Sequence, residues 1–295
     1  IYQCDWSSDV CSSDLAEKSA HRFESYTIRQ VHSHTRVSMK KMLSMLVMLA
    51  SFSTANAGLL KNLRDKYLYS DLDIEGVEKS YDNAHVYVPG NFFKTSPSNI
   101  DVKRKYPVVI YLHGCTGITT QDYQWAKFVS DLGYIVVQPD SLARPNTKVI
   151  CDPKTTTSQK GIAGGIALMQ RQQEIRYAMN QIKNSSWADT SNIFLMGHSQ
   201  GGVSTALNKI NDFKGLIISG WTCTHPVSGG IKSDKSIPVL AMAFDKDPWY
   251  YGKETQGRCI DQAEGRVNIT QLDFEGAYHS TVQEPQAQQI GRAHV

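Results

Sequence analysis

Five short stretches of this 295-residue chain are apolar or aromatic throughout: Tyr106–Leu112, Tyr134–Val137, Ile193–Met196, Leu216–Ile218 and Pro238–Phe244. A half-exposed strand alternates apolar and polar residues, so an uninterrupted run belongs to a strand covered on both faces, as central parallel strands are. His85–Pro89 alternates like an early, exposed strand, and Val267–Leu272 closes the series. Helical stretches lie at Leu59–Tyr69, Asp122–Leu132, Gln170–Ile182 and after Ser199. Strand and helix in alternation predict an α/β fold, a doubly wound, mostly parallel sheet with helices on both faces and ligands at the carboxyl ends of the strands. The segment 220–237 is too short for a helical lid domain, so the site is expected to be open.

The two ends read differently. Ile290 to Val295 can be encoded by DNA whose reverse complement encodes Asp-Val-Cys-Ser-Ser-Asp, which is the sequence of residues 9–14. One oligonucleotide on opposite strands would write both ends, so 1–15 and 290–295 read as adapter-derived translation and 16–38 as an upstream leader. Residues 39–57 read as a signal peptide: Met39-Lys40-Lys41, an apolar run from Met42 to Phe52, then Ala55-Asn56-Ala57 as a small-x-small cleavage site. That run is shorter than the roughly 20 residues a membrane span requires, so no stable membrane insertion is expected. The expectation is a domain of residues 58–289 exported to the periplasm or medium.

Within 58–289 there are 24 Lys plus Arg against 23 Asp plus Glu, without basic runs. Such a balance gives no electrostatic case for nucleic acid or an anionic surface as partner. Oligomeric state is not readable. Four cysteines fall in this span, Cys115, Cys151, Cys223 and Cys259. In an oxidising compartment they predict two disulfides, for which three connectivities exist. No C-x-x-C pair or histidine cluster supports a metal site.

Gly197-His198-Ser199-Gln200-Gly201 sits between an apolar strand and a helical stretch. A tight strand-to-helix turn needs small residues at 197 and 201, and it lifts Ser199 out as a candidate nucleophile. On such elbows the acid follows the serine in sequence and the histidine follows the acid. His279 lies after the last strand, which makes it the candidate general base; His85, His113, His198 and His225 lie too early. The strand Pro238–Phe244 ends in Asp245-Lys246-Asp247-Pro248, offering two carboxylates. Asp247, further into the loop, has the register of a triad acid, and Asp245 is the alternative. The oxyanion donors are expected to be the amides of Gln200, directly after the serine, and Cys115, in the turn His113-Gly114-Cys115-Thr116-Gly117 after the Tyr106 strand.

Leu112 to Gly117, the Pro139-Asp140-Ser141 turn and the Gly197–Gly202 elbow resemble those of the α/β-hydrolase superfamily across about residues 76–289. Within it the chain is similar to dienelactone-hydrolase-like proteins and to secreted polyhydroxyalkanoate-depolymerase or feruloyl-esterase-type enzymes. True dienelactone hydrolases use a cysteine nucleophile where this chain has Ser199, which separates it from dienelactone chemistry. The resemblance implies a serine carboxylic-ester hydrolase that works through an acyl-enzyme on a small-molecule or polymeric ester, with no metal or organic cofactor. Peptidase or thioesterase activity on the same residues, or a non-catalytic binding protein on the fold, are the alternatives. The family's strand order also implies pairing of Cys115 with Cys151 and Cys223 with Cys259, with the first bridge fixing the oxyanion loop. Trp221, Trp249 and Tyr250, with Tyr251, are candidates to wall an acyl pocket, with core packing as an equal rival; Tyr123 and Trp125 are expected in the core.

Overall fold

The computed structural model describes residues 74–145, 147, 151, 157–225 and 229–287. The chain divides into units 1–61 and 62–295, and all described residues fall in the second. The adapter, leader and signal-peptide readings, and the helix expected at Leu59–Tyr69, lie outside the described residues.

Seven strands form one sheet: β1 His85–Tyr87, β2 Tyr106–Leu112, β3 Ile135–Gln138, β4 Ala188–His198, β5 Gly215–Ser219, β6 Val239–Phe244 and β7 Ile269–Phe274. Their spatial order is β1-β3-β2-β4-β5-β6-β7. Only the edge strand β1 is antiparallel, with His85 opposite Gln138; every other pairing is parallel. Side-chain alternation splits the apolar runs between two cores. Val108, Ile110, Leu112, Ile193, Leu195, Leu216 and Ile218 face one, while Val109, Tyr111, Val136, Met196 and Met242 face the other. That division is why the runs could not alternate with polar residues.

Among the described residues four helices cover the sheet: α1 Ile74–Asp82, α2 Thr120–Asp131, α3 Thr157–Lys183 and α4 Gln200–Ala206. Tyr81 of α1, Ile175, Ala178, Met179 and Ile182 of α3, and Ala206 of α4 pack into the first core; Trp125, Ala126 and Val129 of α2 pack into the second. The start of α2 is fixed by Asp122, whose carboxylate accepts from the Thr119 amide (2.8 Å), the Thr119 hydroxyl (2.6 Å) and the Tyr111 hydroxyl (3.0 Å). Tyr123 is 40% exposed, against the expectation of a core position. Two positions apart on a helix, Tyr123 and Trp125 point about 200° apart, so burying one exposes the other. Two helices differ from expectation as well: α1 was not foreseen, and α3 begins at Thr157 instead of Gln170.

From β2 the chain passes through α2 to β3 on one side, then crosses back over β2 through α3 to reach β4 on the other. The crevice at this change of direction opens at the carboxyl ends of β2 and β4, where Leu112 pairs with Gly197. The loop with Cys115 and the elbow with Ser199 both leave the sheet there. Among the described residues of 220–237 there is no helix, so nothing there forms a helical lid. Disulfides join Cys115 to Cys151, with Cα atoms 5.8 Å apart, and Cys223 to Cys259, 4.7 Å apart.

Candidate active site

Ser199 connects β4 directly to α4 at φ 55°, ψ −117°, a backbone state that non-glycine residues rarely adopt. The surrounding glycines make this turn possible. A Cβ on Gly197 would run into the carbonyl of Gly201, a Cβ on Gly201 into that of Leu112, and one on Gly202 would come within 2.8 Å of the Ser219 carbonyl. The Ser199 amide donates to Ser219 O at 2.9 Å, and the Val203 amide donates to Ser199 O at 2.9 Å, so the turn is tied to β5 and to its own helix. Strain of this kind persists only where the surroundings over-determine it.

Asp247 is 1% exposed and sits in the loop after β6. Its Oδ1 accepts from the Trp249 amide at 2.9 Å, and its Oδ2 lies 2.7 Å from His279 Nδ1. An ionised carboxylate only accepts, so Nδ1 carries the proton and Nε2 presents its lone pair. Nε2 is buried and has no hydrogen-bond partner among the described residues. Asp245 is exposed and accepts from the Gly276 amide at 2.8 Å; it caps a turn and does not reach the imidazole.

Rings surround His279. His198 lies 4.9 Å away between centroids, Trp249 5.7 Å and Tyr250 5.9 Å. Burial, with a smaller contribution from His279, pulls His198 down to about 3, so it stays neutral beneath its neighbour. Its Nδ1 is 3.1 Å from Ser219 Oγ, which is 2.8 Å from Thr281 Oγ1. The Tyr250 hydroxyl donates to Gly220 O at 2.9 Å. Burial and then the Asp247 charge raise that phenol, with the Ser199 hydroxyl beside it acting the other way.

A cleft of about 290 Å³ opens over Ser199, lined by Gly114, Cys115, Thr116, Cys151, His198, Trp249 and His279 among others. Trp249 stands at its edge, 47% exposed. Trp221 is 4% exposed and packs in the core, edge-on to Tyr250 at 5.2 Å, so it backs the site without walling it. A larger apolar groove of about 370 Å³ runs along the α2 face of the sheet between Trp125, Phe128, Phe194, Ile217 and Leu240, and neither Ser199, Asp247 nor His279 lines it. Among the described residues no group of three His, Cys, Asp or Glu side chains could hold a metal ion, and no helix is long and apolar enough to cross a membrane.

Sequence reasoning passed over a set of buried charges behind the cleft: Arg144 and Arg171, each 2% exposed, and Glu174, 1% exposed. Glu174 bonds Arg144 Nε at 2.9 Å and the Ser141 hydroxyl at 2.6 Å, and lies 3.5 Å from Arg171. Gln172-Gln173-Glu174 flanked by Arg171 and Arg176 inside a helix was the available signal, since three consecutive polar residues cannot all face solvent on a helix packed against a sheet.

Residues 66–246 match the family model of chlorophyllase. The chain belongs to the chlorophyllase family. The matched span holds the Cys115 loop and the Ser199 elbow of this chlorophyllase-family protein and ends one residue before Asp247. The family lies in the α/β-hydrolase superfamily to which the motifs pointed, although chlorophyllase itself was not among the relatives they brought forward. No curated protein matches. Similar solved structures include a putative dienelactone hydrolase from Klebsiella pneumoniae, 12% identical over 72% of this chain and 89% of that one, TM-score 0.46. Est1E from Butyrivibrio proteoclasticus is 15% identical over 72% and 91%, TM-score 0.44. A dienelactone-hydrolase-like promiscuous phosphotriesterase from metagenomic libraries is 18% identical over 65% and 83%, TM-score 0.45.

Proposed function

We propose that this protein is a serine carboxylic-ester hydrolase with Ser199, His279 and Asp247 as its triad. The observation that carries the reading is the 2.7 Å contact between Asp247 and His279 Nδ1, which leaves a bare Nε2 in the same cleft as a serine on a strained strand-to-helix turn. Catalytic hydrogen bonds are often long in the free enzyme, so a nucleophile and base that share a cleft without yet bonding are compatible with it.

His279 Nε2 takes the Ser199 hydroxyl proton as Oγ attacks the ester carbonyl carbon, and Asp247 stabilises the imidazolium without taking the proton. The resulting oxyanion is held by the amides of Cys115 and Gln200, the latter at the first position of α4, where the helix dipole also favours negative charge. Collapse expels the alcohol, which receives the proton from His279. Water then gives a proton to His279 as it attacks the acyl carbon, and collapse releases the carboxylic acid while His279 returns that proton to Ser199 Oγ. Trp249 is the side chain best placed to meet the acyl or alcohol portion, and Tyr250 keeps a neutral hydroxyl beside Ser199.

The test is an organophosphonate trap on the purified protein, read by intact mass and peptide mapping, beside hydrolysis of p-nitrophenyl acetate and butyrate and of chlorophyll. One adduct, on the Ser199 peptide, with turnover of at least one ester is expected; a folded protein with neither would contradict the proposal. Export is part of the same proposal, supported by the 39–57 segment and the two disulfides. It requires N-terminal sequencing of the exported protein to start near Gly58.

A further inference from the structure

We propose that Arg171, acting with His113, is a positioning residue that holds the Gly114–Cys115 peptide so that the Cys115 amide faces Ser199. This rests on the esterase reading above, because it assigns what sets one of that reading's oxyanion donors.

Arg171 comes from α3, 57 residues beyond Gly114, yet its Nη2 reaches the carbonyls of His113 (3.0 Å) and Gly114 (3.2 Å). His113, completely buried, holds the same turn from its side chain. The Ser141 amide lies 3.2 Å from His113 Nε2, and an amide can only donate, so Nε2 is the acceptor. Nδ1 lies 2.6 Å from Gly114 O, which can only accept, so the proton of the neutral ring is on Nδ1; Arg171 Nη2, 2.9 Å from the same nitrogen, directs its two protons to the His113 and Gly114 carbonyls. The imidazole stays neutral because burial and then the adjacent Arg171 charge hold it well below the usual histidine range. With the Gly117 amide at 3.3 Å, the Gly114 carbonyl collects three donors.

A trans peptide points its N–H opposite to its C=O, and among the described residues no peptide is cis. Fixing the Gly114 carbonyl toward Arg171 therefore turns the Cys115 N–H away from α3, to the side where Cys115 lines the cleft with Ser199. Gly114 itself lies against Ser199: a Cβ on it would stand 3.6 Å from the Ser199 Cβ. Burying a guanidinium is costly unless it is paired, and an apolar side chain of similar length would fill the same space. Here the charge is directed at the two carbonyls of the oxyanion turn and balanced by Glu174, which also clamps Arg144 and Ser141. The Cys115–Cys151 bridge restrains the same residue from its side chain.

The test compares wild type, Arg171→Met and Arg171→Lys in kcat and KM for p-nitrophenyl butyrate and in affinity for an alkyl boronate that forms a tetrahedral adduct on serine. An oxyanion donor is worth about 10²- to 10³-fold in kcat. Arg171→Met is expected to lose about 10²-fold in kcat and a similar factor in boronate affinity, with KM and the pH profile unchanged, and Arg171→Lys to recover part of both. A folded Arg171→Met with wild-type kcat and boronate affinity, or one that loses only thermal stability, overturns the assignment. Should Arg171→Met fail to fold, Arg171→Lys gives the same readout, and ¹⁵N spectra of the wild-type histidines give an independent one. A neutral His113 with its proton on Nδ1 is expected, and a proton on Nε2 would remove the donor to Gly114 and overturn the proposal. Absence of wild-type turnover and of a phosphonyl adduct would instead strike the esterase reading, and this assignment with it.

Discussion

Behind Gly114 the protein buries Arg144, Arg171, Glu174 and His113; behind His279 it places rings and a single carboxylate. The oxyanion side is assembled from three distant segments, β2, the turn after β3 and α3, joined by charge-assisted hydrogen bonds in a dry interior. The acid–base side is assembled from two loops after β6 and β7, and the His279 side chain remains 19% exposed. A loop held by remote buried charges is preorganised at the cost of depending on them, whereas the acid–base pair meets through one side-chain bond, Asp247 to His279, that a single substitution removes.

The largest expected effects come from breaking that local bond. His279→Ala should lower kcat by about 10⁶-fold and Asp247→Asn by about 10⁴-fold, the range seen when triad members are removed. Asp245→Asn, whose side chain accepts from the Gly276 amide away from the imidazole, should change kcat by no more than about twofold. Equal losses at 245 and 247 in steady-state kinetics would mean that the acid is shared or misassigned.

The disulfides sharpen the contrast next. Replacing Cys223 and Cys259 by serine should cost about 2–5 kcal/mol in denaturant unfolding while sparing kcat. Cys151→Ser should reduce both stability and kcat, because its partner Cys115 is the residue proposed to supply an oxyanion amide. If Cys151→Ser lowered stability alone, the bridge would have no part in holding the oxyanion turn.

The smallest effect concerns pH. His198 is held near 3 in the folded protein against 6.5 for the free group, so between those values the unfolded chain carries a proton that the native one lacks. Stability therefore falls as pH drops below about 6.5, by at most about 1.4 kcal/mol per pH unit for each such histidine. His113, depressed in the same direction, adds to the slope. Urea midpoints at pH 7 and pH 5 should show a shallower loss for His198→Asn than for wild type; identical slopes would remove His198 from the account.

What the sequence made legible was local. The elbow could be read because Gly197 and Gly201 answer a steric demand within five residues, and the central strands could be read because each is apolar along its whole length, as burial of both faces requires. Asp247 and His279 followed from chain order, which stands in for geometry when the topology is known. Arg171 was not legible, since nothing in the sequence says that a residue inside a helix will reach carbonyls 57 and 58 positions away. The first half of α3 was missed because its Gly161, Gly164 and Gly165 read as loop, and α1 because its short, mostly polar stretch carries few apolar residues. Trp221 illustrates the limit for aromatics: its composition suits a pocket wall or a core, and only packing decides, here for the core.

The central claim is that Ser199 carries the chemistry. Turnover of p-nitrophenyl butyrate by Ser199→Ala, compared with wild type in the presence and absence of the phosphonate trap, tests it most directly. A loss of about 10⁶-fold in kcat together with loss of the adduct is the expected result; a folded Ser199→Ala that still turns over ester within about tenfold of wild type would contradict it.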